Sequence, residues 1–186
     1  MKEGAVGVAG RRAAWMPAGG LTAEMLCEMS SRRVFKFAQM ISTSSRDAED
    51  LAQNALERAI RGLRTFDPAK GDLDAWLWRI VVNAGRDAGR IARRERVVLE
   101  RLIGLWPVDQ KVVDVADAFS GDELLAAVRS LSPRHRAVIA LRYGADLDYS
   151  HVGLALGISE AAALMTTRRA LSNLRTRLSK ENISHD

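Results

Sequence analysis

The sequence predicts an all-α protein made of two small helical domains joined by an irregular linker. Three observations carry that prediction. Apolar residues recur at helical spacing through most of the chain, while no segment sustains two-residue alternation and no Asn-Gly or Asp-Gly pair marks a hairpin. Between the periodic halves the pattern loosens over about 97–121, where Pro107 falls and four acidic residues (Glu100, Asp109, Asp114, Asp117) stand against two basic ones (Arg101, Lys111). The length of 186 residues suits one medium or two small domains, and a 47% hydrophobic composition supplies a core.

The elements follow in order. Residues 1–21 hold small residues and arginines without a continuous apolar run, and are expected to be a disordered leader. A first helix is expected over about 22–41, with Leu26, Val34, Phe37, Ala38 and Ile41 inward. The run STSSRD then offers N-caps for a second helix, whose stripe is Ala48, Leu51, Ala52, Ala55, Leu56, Ala59, Ile60 and Leu63. Pro68 and Gly71 break it within FDPAKGD. A third helix runs from near Asp72 to the ARRER cluster, with Leu73, Trp76, Leu77, Ile80, Val81, Ala84, Ala88 and Ile91 as its apolar side. This first domain is placed at 22–97 and the linker at 98–121. The second domain, 122–180, holds four shorter helices near 122–131, 133–143, 149–156 and 160–178, followed by a tail at 181–186. Ser132-Pro133 is an N-cap followed by proline at the first helical position. Gly157-Ile158-Ser159 has the spacing of a helix-turn-helix, with glycine to end one helix and serine to cap the next.

Composition narrows the function classes. A formal net charge of +5 favours a polyanionic partner. Cys27 is the single cysteine, so neither an intrachain disulfide nor a thiolate zinc cluster can form, and His135, His151 and His185 share no metal-ligand spacing. No phosphate-binding glycine loop or G-x-S-x-G motif occurs. Catalytic residues, metal and cofactors are therefore expected to be absent. No apolar run approaches the roughly 20 residues that span a bilayer, so no membrane insertion is expected and the expected location is the cytoplasm.

The polar faces are more informative. On the third helix Arg79, Asn83, Arg86, Arg90 and the Arg93-Arg94 pair step by three or four residues, giving a basic ridge with one amide. Such a ridge can neutralise phosphates while the amide bonds a base edge, although a solvated face has the same pattern. Gly85 and Gly89 leave room for close approach of another backbone. Trp76 lies on the apolar side and reads as core, whereas Trp78 is open to either role. On the second helix Asp50, Gln53, Asn54 and Glu57 form an exposed acidic-polar strip that could face a basic protein.

These residues carry a resemblance. The stretch from Asp47 to Arg96, DAEDLAQNALERAIRGLRTFDPAKGDLDAWLWRIVVNAGRDAGRIARRER, resembles the region-two domain of extracytoplasmic-function (ECF) sigma factors of bacterial RNA polymerase. The stretch from Leu124 to Leu178 resembles their region-four domain, with its helix-turn-helix. The resemblance covers about 32–96 and 122–180. It implies a subunit that binds core RNA polymerase and directs promoter recognition and transcription initiation. Asp50, Gln53, Asn54 and Glu57 would then meet the polymerase clamp, with Asn54 standing where the family commonly has Glu. Phe66 and Lys70 of the loop, with Arg79 and Asn83, would hold an extruded base of the melted −10 strand, and Arg86, Arg90, Arg93 and Arg94 would follow double-stranded promoter phosphates. Met165, Thr166, Arg168, Arg169 and Ser172 of the last helix would face the −35 element. An anti-sigma protein is a further partner that the resemblance allows.

One departure stands out. Where the family commonly reads G-T-V-K-S-R after the Ser-Glu of the turn, this chain has Ala161, Ala162, Ala163, Leu164, Met165 and Thr166. An outward methionine makes no bidentate base contact, but can touch a thymine methyl or a protein. Two other readings stay open: a helix-turn-helix regulator acting without polymerase, and a sigma-like protein that sequesters a regulatory partner.

Overall fold

The computed structural model describes residues 20–69, 71–103 and 123–183. Lys70, most of the expected leader, the linker beyond Ile103 and the last three residues lie outside the described residues. Seven α-helices occur among those described, and no strand.

α1 (Ala23–Ile41) begins where Thr22 Oγ1 accepts from the amide of Met25 at 3.3 Å, and α2 (Ser45–Gly62) where Ser44 Oγ accepts from Asp47 at 3.1 Å. A short 3-10 turn (Leu63–Thr65) leads into the loop before α3 (Leu73–Ile103). Ala48, Ala52, Ala55 and Ala59 are buried along α2, so its backbone comes close to its neighbours. α1 packs on α2 and α2 on α3, around Leu26, Val34, Phe37, Leu51, Leu77 and Trp78.

The structure places both tryptophans of α3 and corrects the reading of its far end. Trp78, left open by the sequence, is fully buried, with its ring edge-to-face with Phe37 at 5.6 Å. Trp76, expected in the core, packs at its edge, half-buried and beside Phe66 at 5.2 Å. The buried face of α3 is set by Ala75, Trp78 and Val82 together with Leu77, Val81 and Ala84. α1, α2 and α6 all pack on it, so its apolar arc is wider than one stripe and extends to the Trp78 side. Ala88 and Ile91, expected inward, are exposed because α3 outruns its neighbours. The helix also continues past the ARRER cluster to Ile103, so the expected linker begins helical; no breaker occurs before Gly104.

The second half is α4 (Glu123–Arg129), α5 (Pro133–Ile139) continuing into a π turn (Ala140–Gly144), α6 (Tyr149–Leu156) and α7 (Glu160–Ile183). Gly157 sits at φ +73°, the left-handed geometry that ends α6, and Ser159 Oγ accepts from Ala162 N at 3.2 Å to start α7. Val138, Leu141, Leu147, Val152, Ala163, Thr167 and Ala170 form the core of this half.

The halves are not separate. The π turn packs on α1, and α6 packs on α3. Four arginines cross the seam to backbone carbonyls: Arg33 Nε to Ala145 O (2.7 Å), Arg86 to Leu156 O (3.3 Å), Arg129 to Gln39 O (3.0 Å) and Arg136 to Ile41 O (3.3 Å). The last turn of α1 has no basic residue of its own. Arg129 and Arg136 therefore supply positive charge, from the other half, to the negative end of its dipole. Burial lowers both guanidinium pKa values, and for Arg136 the charge of Arg129 adds to the effect; arginine stays charged regardless.

Candidate nucleic-acid interface

Three surfaces collect the residues that the sequence singled out. On α2, Asp50, Gln53, Asn54 and Glu57 are all exposed, one helical step apart on the side away from the alanine stripe. Gln53 donates to Glu57 at 3.2 Å, and Arg61 pairs with the same carboxylate at 2.7 Å. Glu57 is thus partly neutralised, and Asp50 is the less encumbered acid of the strip.

On α3, Arg79, Asn83, Arg86, Arg90, Arg93 and Arg94 are exposed. Asn83 Oδ1 accepts from Arg86 at 3.3 Å, which couples the amide to the neighbouring guanidinium. Phe66 lies half-buried on Trp76 at the start of this face, so the loop presents an aromatic platform beside the ridge. Asp87 is a group that the sequence reading missed. It takes a hydrogen bond from Arg58 at 2.7 Å and another from Arg90, and those two bonds hold its carboxyl below the ordinary aspartate range. Arg90 consequently offers less free charge than its place in the ridge implied. The i, i+3 spacing of Asp87 and Arg90 was the available signal; the partnership with Arg58 needed the tertiary fold. Gly85 is explained by packing, since a Cβ there would come within 2.8 Å of Ile41 Cδ1, whereas Gly89 faces open space.

On α7, Met165, Arg168, Arg169 and Ser172 are exposed, Met165 at 47%. Thr166 departs from expectation: it is buried, and its hydroxyl donates to Ala162 O at 2.7 Å. At 100° per residue Thr166 adjoins the inward Ala163 and Ala170, so its side chain serves helix packing and is not presented to a ligand. The tip of α7 therefore combines an apolar point with two arginines and a serine.

The α3 ridge and the second half enclose a groove of about 1230 Å³. Asn83, Arg86, Arg90 and Arg93 line one wall, Arg134, Arg136 and Ile158 the other, and Phe37 and Val82 the apolar floor. No helix among the described residues is long and apolar enough to cross a membrane.

Comparison with known proteins places the chain in a family. Residues 26–96 match the model of sigma-70 region 2, and residues 127–176 that of sigma-70 region 4. The chain is 32% identical over 132 residues to the RNA polymerase sigma-E factor of Streptomyces coelicolor, covering 71% of this chain and 72% of that protein. It is 31% identical over 166 residues to the ECF RNA polymerase sigma factor SigE of Mycolicibacterium smegmatis, covering 84% of this chain but 62% of that protein's length. The sigma factor RpoE of Bartonella quintana, solved in complex with the anti-sigma factor NepR, shares the fold with a TM-score of 0.63 at 22% identity, over 84% of this chain and 96% of that one. Two matched regions in the family's order, on a fold shared with a solved sigma factor, make the assignment: the chain belongs to the ECF sigma factors of bacterial RNA polymerase.

Proposed function

We propose that the chain is the promoter-recognition subunit of an RNA polymerase, binding core enzyme through the exposed face of α2 and promoter DNA through α3 and α7. The single observation that carries this reading is the α3 face. Arg79, Asn83, Arg86, Arg93 and Arg94 are exposed along one helix, beside the Phe66–Trp76 aromatic pair. Arginines at this spacing can follow a phosphate backbone, while an amide next to an aromatic platform can hold an unpaired base by hydrogen bonding and stacking. The −10 element is assigned to this face and the −35 element to Met165, Arg168, Arg169 and Ser172. The acidic strip of α2, on a chain of net charge +5, is the surface suited to a basic partner protein. A helix-turn-helix regulator working alone has no use for either the strip or the aromatic loop.

The arginine-walled groove between the halves also suits an acidic amphipathic segment, the chemistry by which an anti-sigma protein would engage it. The deciding experiment is transcription in vitro with core polymerase on a library of promoters. Run-off products from a subset of templates, dependent on the added chain, support the reading. Retention of DNA binding with no core association would overturn it.

A further inference from the structure

The two proposed DNA-binding faces meet in this structure. Arg86 of the α3 ridge bonds the carbonyl of Leu156, one residue before the turn that starts the reading helix. Elements about 25 base pairs apart are separated by roughly 85 Å of B-DNA at 3.4 Å per pair. The two halves, held as they are here, cannot reach both. The segment 104–122 can extend by roughly 60–70 Å, so the covalent connection permits wide separation of the halves.

One contact at the seam is of a different kind from the arginine–carbonyl bonds. The ring of His151, on the first helix of the helix-turn-helix, lies between two carboxylates from opposite halves. Its Nδ1 is 2.7 Å from Asp148 Oδ1, the cap of its own helix, and its Nε2 contacts Asp72, the residue immediately before α3. A ring placed this way bridges both acids when doubly protonated and can donate to only one of them when neutral. We infer that Asp72 and His151 form a proton-dependent latch that holds region four closed on region two, keeping the free chain from spanning a promoter. The promoter consequence rests on the function proposed above; the closure itself does not.

The surroundings support this assignment. The other charged groups nearest the seam have their own partners: Asp74 with Arg33, Asp87 with Arg58 and Arg90, Arg86 with Asn83 and Leu156 O, and Arg142 with Leu147 O and Asp146. Arg79 of α3, with Glu160 and Arg168 of α7, is exposed. Burial works against charge on His151, yet the hydrogen bonds that it donates to Asp72 and Asp148 outweigh it, and the pKa is raised above the ordinary histidine value. Asp148 stays with His151 when the halves part, so only the Asp72 share belongs to closure. The latch is therefore fully engaged below the pKa of the open form and is lost as pH rises through the higher pKa of the closed form.

Spin or dye labels at Glu49→Cys and Thr176→Cys, both exposed positions, in a Cys27→Ser chain report the separation of the halves without DNA or polymerase. At about pH 5.5 the unaltered latch should give one short distance, with a long-distance population growing toward pH 8. Asp72→Asn keeps an acceptor for the Asp74 amide that Asp72 Oδ1 now caps at 2.8 Å, but removes the charge. It should shift the closed-to-open ratio by roughly two- to fivefold at acid pH, the scale of one partly exposed charged pair, and blunt the pH response. His151→Gln, with circular dichroism to verify helix content, should do the same. Distances that are independent of pH and unchanged in both variants overturn the latch. Because no promoter is involved, that outcome leaves the function proposed above to its own test.

Discussion

Under the proposed function, base recognition would turn on two exposed residues, Asn83 and Met165, acting by opposite chemistry. Asn83 already shares its carbonyl oxygen with Arg86, so the amide is oriented before DNA arrives. Asn83→Ala should reduce opening of duplex promoters more than core binding, and the deficit should shrink on templates melted in advance at the −10 element. Equal loss on both templates, followed by a fluorescent base probe, would refute base capture by this residue. Met165 stands 47% exposed beside Arg168 and Arg169, and with Thr166 turned inward few side chains near the tip can discriminate bases by hydrogen bonds. Each bidentate contact supplies about 1–3 kcal/mol of discrimination, so recognition at −35 should lean on phosphates and DNA shape. Arg168→Ala should lower affinity across many −35 sequences and reduce the salt slope by about one, while Met165→Lys should raise affinity by adding a phosphate contact. Titrations over a range of salt read both, and a single base change costing several kcal/mol in the parent chain would show sequence reading by the tip.

At the scale of elements, α2 and the turn between α6 and α7 each have a separable test. α2 is alanine-rich on its buried side and carries the acidic strip on the other, so charge reversal on the outer side leaves packing untouched. Asp50→Lys with Glu57→Lys should weaken core binding by about 2–5 kcal/mol if the strip meets a basic surface, with no change in melting beyond a small surface effect. A titration against core polymerase that gives unaltered affinity removes this face from the interface. The α6–α7 turn depends on Gly157 at φ +73°; Gly157→Ala introduces a Cβ into left-handed geometry and should cost roughly 1–2 kcal/mol. Gly89 is the converse, helical and with nothing within 4 Å of where a Cβ would stand. Gly89→Ala should stabilise the chain by about 0.5–1 kcal/mol. Urea denaturation measures both, and a destabilising Gly89→Ala would mean that the site is constrained in a way that the open space around it does not reveal.

For the whole molecule, contacts across the seam join the two family regions in this structure. Four guanidinium groups on backbone carbonyls tie the halves, and Arg33 does so while pairing with both oxygens of Asp74 at 2.9 and 3.2 Å and lying over the Trp78 ring. Lysine could not form that fork and stack together. At the tightest point, a Cβ on Gly144 would lie 2.7 Å from Met40 Sδ and 3.5 Å from the backbone of Lys36. A branched side chain there should act as a wedge. Gly144→Val is expected to cost about 1–3 kcal/mol through overpacking and to divide a single thermal transition into two as the halves uncouple. A single calorimetric transition at the parent temperature would show that the coupling of the halves does not depend on this contact.

The sequence by itself determined the all-α class, the helix starts and the identity of the exposed strips. These follow from local rules: Thr22, Ser44, Ser132 and Ser159 cap helices through their own hydroxyls, Gly157 ends one, and periodicity marks α2 without ambiguity. Family membership was legible too, because it rests on motif order along the chain. Tertiary structure decided what depends on more than one neighbour. Trp78, left open by the sequence, is fully buried and Trp76 sits at the edge of the core, because three helices, not one, cover α3. Thr166 turned inward because the buried arc of α7 is broader than its leucine stripe. The pairing of Asp87 with Arg58 and of Asp72 with His151 joins residues 29 and 79 positions apart, a separation at which no local periodicity carries information. Packing across the seam brings them together, and the charge each group holds follows from that packing.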